Sequence, residues 1–439
     1  MIKVCKFGGT SMADAKAFAQ VKSIINADES RRFIVVSAPG KRNKQDIKIT
    51  DTLYACYKEL QETGAITNKF SLIRDRFTEL VKDLGIDLDI QSLLDTTERE
   101  IVENNSPDFT ASRGEYLSAR VMAKYLGLEF IDAAEMIRFD SRGNLNQDYT
   151  DDKVRIRLEN VDKAVIPGFY GKDYEGKIKT FSRGGSDITG SIIARGVKAD
   201  LYENWTDVSG FLVCDPRIVP EAKAIKQITY KELRELSYMG ASVLHPEAIF
   251  PVMKGKIMIN IKNTFKPEDP GTMIVPNEKY ELLSGESVIT GIAGKKDFTV
   301  IFIEKSMMNA EVGFIRKVLS VVEHYGLCVE HLPSGVDTLS VVVASEQLKD
   351  GVLSDVVNEI RENVSPDYVH VIENISLIAT VGHGMNRRVG TAARLFNALA
   401  QANINLRMID QGSSELNIII GVENSDYEKC ISTIYKAFN

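Results

Sequence analysis

Short apolar runs alternate with longer stretches whose apolar residues recur at helical spacing across residues 1–285. Ile2, Val4 and Phe7 suit a buried strand, and Phe33–Ser37, Glu129–Asp132, Ala164–Ile166, Asp200–Glu203 and Ile257–Ile261 read the same way. Ala13–Ile25, Asp51–Lys82 and Arg113–Tyr125 read as helices between them. Strands alternating with helices predict an α/β domain around a largely parallel sheet. In such sheets ligands bind beyond the carboxyl ends of the strands. A polar stretch, Pro267–Ser287, holds three prolines and two glycines and reads as a linker.

The remainder of the chain repeats itself. Gly313–Val343 aligns without a gap to Gly390–Ile420, 77 residues later, pairing Leu327 with Ile404, Val329 with Leu406 and Gly335 with Gly412. Each copy reads helix, strand, turn, strand. Counting elements, Phe298–Glu373 makes one complete βαββαβ unit, while the second copy ends after its helix and lacks a last strand. Ser287–Ala293 is a spare strand that supplies it, so the first unit is expected to be inserted in the second. Neither copy holds a cluster of catalytic residue types, which favours a binding or regulatory module.

A length of 439 residues predicts two or three domains. The net charge of −7 gives no basic face for nucleic acid, and no apolar run is long enough to span a bilayer. The N-terminus runs straight into a strand without a cleavage-site pattern, which points to a cytoplasmic protein. Five scattered cysteines without a CxxC, and five histidines without an HExxH, predict reduced thiols and no protein-held metal.

The chemistry concentrates in a few glycine-rich stretches. In KFGGTS, Lys6–Ser11, the glycines let backbone N–H groups approach an anion closely, while Lys6 adds a mobile charge. Thr10 or Ser11 is placed to cap the following helix. FSRGGSD, Phe181–Asp187, repeats the design, with Arg183 before the glycines and Ser186 expected to cap a helix that Asp187 starts. SRGE puts Glu115 on the expected first turn of a helix behind Arg113, and NWTDVSGFLVCDPR follows a strand with polar turns.

With these stretches in view, the sequence resembles the monofunctional aspartate kinases of the amino acid kinase family. KFGGTS, SRGE, FSRGGSD, WTDVSGF…DPR, GASVLHP and IKNTF…PGT occur in that family's order, and the repeats stand where its paired ACT domains belong. The resemblance implies an α/β/α kinase sandwich over residues 1–285 followed by two ferredoxin-like ACT domains, 297–373 and 286–296 plus 374–439. It implies phosphorylation of the β-carboxylate of L-aspartate by ATP with Mg²⁺, with feedback by an amino acid. It further implies a cytoplasmic homodimer or dimer of dimers joined through the ACT domains.

Carried onto this chain, the resemblance makes Lys6 the lysine that neutralises the transferring phosphoryl group. Gly8, Gly9, Thr10, Gly184 and Gly185 cradle phosphate, and Asp187 organises the lysine and the metal–nucleotide. Arg183 would clamp the aspartate α-carboxylate and Glu115 its ammonium, with Ser37, Thr50 and Ser186 as further substrate contacts. Thr206, Asp207, Gly210, Asp215 and Arg217 would form the nucleotide pocket. No general base is needed, since a carboxylate with a pKa near about 4 is already ionised at neutral pH.

For the effector, the loop Ala310, Glu311, Val312, Gly313 and Phe314 offers backbone groups to an α-carboxylate. Glu330 and Asp337, with Ser334 and Thr338 beside them, offer acids to a lysine ammonium. The ungapped repeat matches Glu330 and Asp337 to Arg407 and Ser414, so lysine is expected at the first unit, with threonine the other candidate. Two departures stand out: Ser242 replaces a lysine common in the family, and Ser37–Thr50 is longer and more basic than usual. Two other readings stay open, a kinase for another acidic amino acid and a non-catalytic amino-acid sensor. Glu115 and the paired repeats weigh against the first, and the intact Lys6, Arg183 and Asp187 weigh against the second.

Overall fold

A computed structural model describes residues 1–182, 184–241, 246–280 and 287–439, and all their side chains except those of residues 246–248 and 387. The chain divides into two compact units, one of residues 1–211, 224–230 and 242–280, the other of residues 212–223, 231–241 and 281–439.

The first unit is built on a sheet of β1 (Lys3–Phe7), β2 (Arg31–Val36), β3 (Glu129–Phe130), β4 (Ala164–Pro167), β7 (Leu201–Thr206), β8 (Gln227–Thr229), β9 (Met258–Asn263) and β10 (Thr272–Val275), with β5 (Tyr170–Lys172) and β6 (Ile178–Thr180) forming a separate hairpin. The order is β3-β4-β2-β1-β7-β9-β10-β8, parallel except where β10 runs against β9. β10 lies inside the stretch expected to be a linker. Its prolines and glycine bound a four-residue strand, TMIV, too short to stand out against them.

Its helices are α1 (Ala15–Asn26), α2 (Ile49–Thr63), α3 (Thr67–Leu84), α4 (Ile90–Asn104), α5 (Pro107–Leu126), α6 (Gln147–Leu158), α7 (Gly185–Gly196) and α9 (Pro246–Lys254), while α8 (Tyr230–Tyr238) lies in the second unit but for its first residue. The predicted helix over Asp51–Lys82 is two helices. Gly64 closes α2 in the left-handed region (φ 75°), where its N–H bonds the Leu60 carbonyl.

Three expected helix starts move. Thr10 and Ser11 lie in a 3₁₀ turn, and Asp14 caps α1 by accepting the Ala17 N–H at 2.9 Å. α5 begins at Pro107 behind a Ser106 cap, so Glu115 sits in mid-helix rather than on its first turn. The helix expected to start at Asp187 starts at Gly185, because Gly184 takes φ 62° and serves as cap in place of Ser186.

The second unit holds one six-stranded sheet, β12-β13-β11-β14-β16-β15, from β11 (Gly291–Glu304), β12 (Val329–His331), β13 (Thr338–Ala344), β14 (Tyr368–Val381), β15 (Met408–Asp410) and β16 (Asn417–Glu423). The strands expected separately before and after residue 295 are one long β11 with an irregular register between Lys295 and Phe298. Its first part pairs Gly291, Ile292 and Ala293 with Val381, Thr380 and Ala379 of β14. Its second part pairs with both β13 and the start of β14. The helices of this unit are α10 (Phe314–His324), α11 (Val352–Val364), α12 (Thr391–Gln401) and α13 (Tyr427–Phe438).

The repeat carries a gap that the hydrophobic pattern hides. α12 starts 77 residues after α10, but β15 and β16 start 79 residues after β12 and β13. The second copy has two extra residues between helix and strand. Side chains alternate with period 2, so a two-residue shift leaves every apolar position on its own face. The positions matching Glu330 and Asp337 are therefore Ile409 and Leu416, not Arg407 and Ser414.

α3 anchors the core of the first unit through Phe70, Ile73 and Phe77, all fully buried. Replacing Phe77 by Ala should lower stability by about 3–5 kcal/mol. A loss of unfolding free energy in urea less than a third of that would mean the α3 contact is not part of the cooperative core.

Candidate active site

Four parallel strands end side by side, and the glycine and polar motifs begin where they end. β1 runs into Gly8, β2 into Ser37, β7 into Asp207 and β9 into Thr264. Backbone bonds tie these loops together: Gly8 N–H to the Trp205 carbonyl at 3.0 Å, Ser37 N–H to Phe7 at 3.1 Å, and Thr264 N–H to Thr206 at 2.8 Å. The sheet thereby gathers residues spread from position 6 to position 264.

Lys6 is the central cation. It lies opposite Asn204 of β7 in register, 7 % exposed, and its ammonium contacts Asp187 Oδ1 at 2.6 Å. Asp187 enters from the first turn of α7, and Asn204 Nδ2 donates to the same carboxylate oxygen at 2.8 Å. A Cβ at Gly8 would stand 3.4 Å from Lys6 Nζ, so the ammonium lies directly against the glycine turn. This is a cation held beside backbone N–H groups, an arrangement that suits phosphate.

Thr10 and Thr206 converge on Asp207. The Thr10 hydroxyl donates to Asp207 Oδ2 at 3.4 Å and that of Thr206 to Oδ1 at 3.2 Å. Gly210 turns the chain beyond them with φ 95°, pressed against Thr272. Asp215 and Arg217 belong to the second unit, where they bond each other through three contacts of the Arg217 side chain. Arg183 lies outside the described residues, as does Ser242.

Glu115 is fully buried on α5. Its Oε2 has no hydrogen-bond partner, while the Ala38 N–H supports the carboxyl group. Burial pushes its pKa up to about 8, only partly offset by the backbone N–H groups and by the charge of Arg113. Arg113 itself turns away into the rings of Phe109, Tyr116 and Tyr170. A buried acid with a free oxygen is poised for a cation that the described residues do not supply. Ser37 and Thr50 are half-buried on either side of the loop over residues 37–50, and Ser186 packs against the backbone of Gly168.

Several residues of this site lie in stretches the sequence flagged but had no role assigned to them: Asn204, Asn263, Thr264 and Gly40. Ser11 and Thr264 share a buried 2.7 Å hydrogen bond across 253 positions, and Asn263 Nδ2 donates to the Asp207 carbonyl at 3.3 Å. Only the strand order brings them together, although IKNTF flagged the right stretch.

In the second unit the loop over residues 307–314 meets the turn before β13. Met307 N–H donates to Asp337 Oδ1 at 2.8 Å, and Asn309 N–H to the Val336 carbonyl at 3.2 Å. Gly313 caps α10, Phe314 is buried beneath it, and Glu311 pairs with Lys305 and Lys317. Ser334 bridges to Leu339, and the Thr338 carbonyl accepts the Gly335 N–H. Glu330 takes a hydrogen bond from the Tyr238 hydroxyl at 2.5 Å and is not tied to that turn.

An α/β sheet with an anion-binding cation at its strand ends, joined to a double βαββαβ sheet, defines a small-molecule kinase with a regulatory module. Residues 1–263 match the amino acid kinase family, and residues 378–438 match the ACT domain. Aspartokinase 3 of Bacillus subtilis is 36% identical over 457 residues, covering 100% of this chain and 98% of that protein. The aspartate kinase of Clostridium acetobutylicum superposes with a TM-score of 0.91 at 53% identity over 100% of both chains. E. coli aspartokinase III in complex with aspartate and ADP shares the fold, with a TM-score of 0.75 at 24% identity over 100% of this chain and 99% of that one. The chain belongs to the aspartokinases of the amino acid kinase family. It transfers a phosphoryl group from ATP to the β-carboxylate of L-aspartate, the first step towards lysine, threonine and methionine, under feedback through its ACT domains.

The Glu115 geometry has a consequence for stability. The native carboxyl keeps its proton to about pH 8, whereas its ordinary value is 4.5. The unfolded chain therefore releases the proton first, so this group's stabilising contribution is full below 4.5 and is lost as pH rises towards 8. The loss should reach at most about 1.4 kcal/mol per pH unit. Urea midpoints across that window should flatten in Glu115→Gln relative to the unaltered enzyme. Parallel curves would show that Glu115 is ionised in the native state.

Proposed function

We propose that Lys6, Gly8, Gly9, Thr10, Gly184 and Gly185 hold the transferring phosphoryl group, and that Asp187 orients Lys6 for it. Glu115 receives the aspartate ammonium, with Arg183, Ser37, Thr50 and Ser186 completing the acceptor site. Thr206, Asp207 and Gly210 serve the nucleotide. The observation that carries this reading is the Lys6–Asp187 contact of 2.6 Å against the Gly8 turn.

In the reaction an ionised β-carboxylate oxygen attacks the γ-phosphorus while the bond to the β–γ bridging oxygen breaks. No proton needs to move, so the protein's task is positioning and charge. Lys6 and the backbone N–H groups of the glycine turn face the oxygens on which charge accumulates. Glu115 must be ionised to hold the ammonium, so substrate binding is expected to release its proton.

We assign Mg²⁺ to the nucleotide rather than to a protein cage. Among the described residues no three His, Cys, Asp or Glu side chains could hold a metal ion. Mg²⁺ commonly uses one or two carboxylates, several waters and substrate phosphates, and Asp187 and Asp207 are the carboxylates available. The ion would supply neutralisation of the phosphate oxygens.

The kinase domain is read as residues 1–285, and the ACT domains as 297–373 and 286–296 plus 374–439. The pairing of Gly291–Ala293 with Val381–Ala379 supports that division. The effector is read as L-lysine at the first ACT domain. Its ammonium faces Glu330 or Asp337, and its α-carboxylate faces the backbone of residues 310–314. The matching positions of the second copy, Ile409 and Leu416, offer no acid. Exposed Met307, Val312 and Val336 around this turn support a dimer or dimer of dimers through the ACT domains. Five free cysteines, and no described helix long and apolar enough to cross a membrane, accord with the cytosol.

Lys6→Ala should lower kcat by about 10²–10³-fold with an unchanged circular dichroism spectrum, because the lost charge acts on the transition state. Near-normal turnover in the folded variant would remove the glycine turn from the mechanism. For regulation, changing Glu330 and Asp337 together to Ala should raise the lysine concentration for half-inhibition by about tenfold or more, sparing uninhibited activity. A double variant as sensitive as the unaltered enzyme would place the effector elsewhere.

A further inference from the structure

The basic stretch between Ser37 and Thr50 is more than a surface loop. Gly40 presses on the phosphate turn: its N–H bonds the Gly9 carbonyl at 2.8 Å, and a Cβ there would fall 2.7 Å from Gly9 C. Two residues earlier, Ala38 supports the Glu115 carboxyl and abuts Gly114, whose added Cβ would meet Ala38 Cβ at 2.8 Å. Residues 38–40 therefore form a strut with the phosphate turn at one end and the acceptor acid at the other.

Arg76 of α3 locks that strut. It is 8 % exposed, and its Nη2 donates to the carbonyls of Gly40 and Ala13, both at 2.8 Å. Ala13 follows directly on the phosphate turn, so one nitrogen joins the strut to the turn it must face. Nη1 donates to Asp46 Oδ2 at 2.7 Å, and Arg42 holds the same carboxylate through its N–H and Nε. Arg42 also reaches Glu79 on α3 at 2.8 Å, closing the loop onto the helix that carries Arg76. Although partial burial acts to raise the Asp46 pKa, the bonds from Arg42 and the charge of Arg76 hold it below the usual carboxylate range.

We propose that Arg76, pinned by Asp46, is a positioning residue that fixes the distance between the phosphoryl group and the acceptor carboxylate. The inference rests on the placement of phosphate at Gly8–Gly9 and of the aspartate ammonium at Glu115. Arg76 touches neither substrate. Nη2 on the two carbonyls and Nη1 on Asp46 together use both arms of a planar guanidinium, which the single nitrogen of a lysine cannot imitate. Each substrate still finds its own half-site when the clasp is open, so binding survives while the in-line approach is lost.

The test is steady-state kinetics of Asp46→Asn, Asp46→Glu, Arg76→Lys and Lys6→Ala, each checked for its thermal midpoint. Asp46→Asn should lower kcat about tenfold or more, with KM for ATP and for aspartate each within about threefold. Asp46→Glu, which keeps the charge, should recover part of kcat, and Arg76→Lys should not. A folded Asp46→Asn with unaltered kcat, or a loss confined to either KM, would overturn the proposal. So would failure of Asp46→Asn to fold while Asp46→Glu shows the same kcat as the unaltered enzyme, since the carboxylate would then be a stability element only. Loss of activity in Lys6→Ala with kcat kept in Asp46→Asn sinks the clasp alone. Activity kept in Lys6→Ala sinks the site reading beneath it.

Discussion

A lysine ammonium buried beside a single carboxylate sets the terms for the rest of this molecule. Lys6 sits in the middle of a parallel sheet with its charged end against a glycine turn, and Asp187 is its only ion-pair partner among the described residues. A buried cation without such a partner is strongly disfavoured, so the strand end and the start of α7 must be held together. Asn204 fixes the acid from the neighbouring strand. An anion arriving at the turn meets a cation whose desolvation the fold has already met. That preorganisation is what phosphoryl transfer between two anions asks of a protein.

The parallel sheet, its strands other than the short β8 and β10, and the glycine loops were legible in the sequence because burial and period leave a direct trace in apolar spacing. The helix starts were not. Asp14, Ser106 and Gly184 each act through one local hydrogen bond or one backbone angle, which competes with several equally plausible neighbours in a polar stretch. The roles of residues such as Asn204, Thr264 and Arg76 were hidden for a different reason. Their partners lie 17, 253 and 63 positions away, and only the strand order and helix placement decide those meetings.

The regulatory half shows how a correct pattern can still mislead at the level of single residues. The repeat is real, but two extra residues between α12 and β15 leave each apolar position on its own face, so an ungapped comparison looks perfect. The match of Glu330 to Arg407 failed on that account. The charge asymmetry between the copies survives, because Ile409 and Leu416 are no better suited to an ammonium. The long β11 and β14, each paired along both halves of the sheet, tie the two copies into one continuous layer. A change at either copy therefore has a backbone route to the other.

The account stands on one spatial claim: the acceptor aspartate lies between a buried, free carboxyl oxygen of Glu115 and the glycine turn under Lys6. A crystal structure of the enzyme with L-aspartate and ADP measures it directly. The account predicts the α-ammonium on Glu115 Oε2 and the β-carboxylate directed at Gly8 and Gly9, with Lys6 on the phosphate side. An aspartate bound in the kinase domain without contact to Glu115, its β-carboxylate turned from the glycine turn, would contradict it.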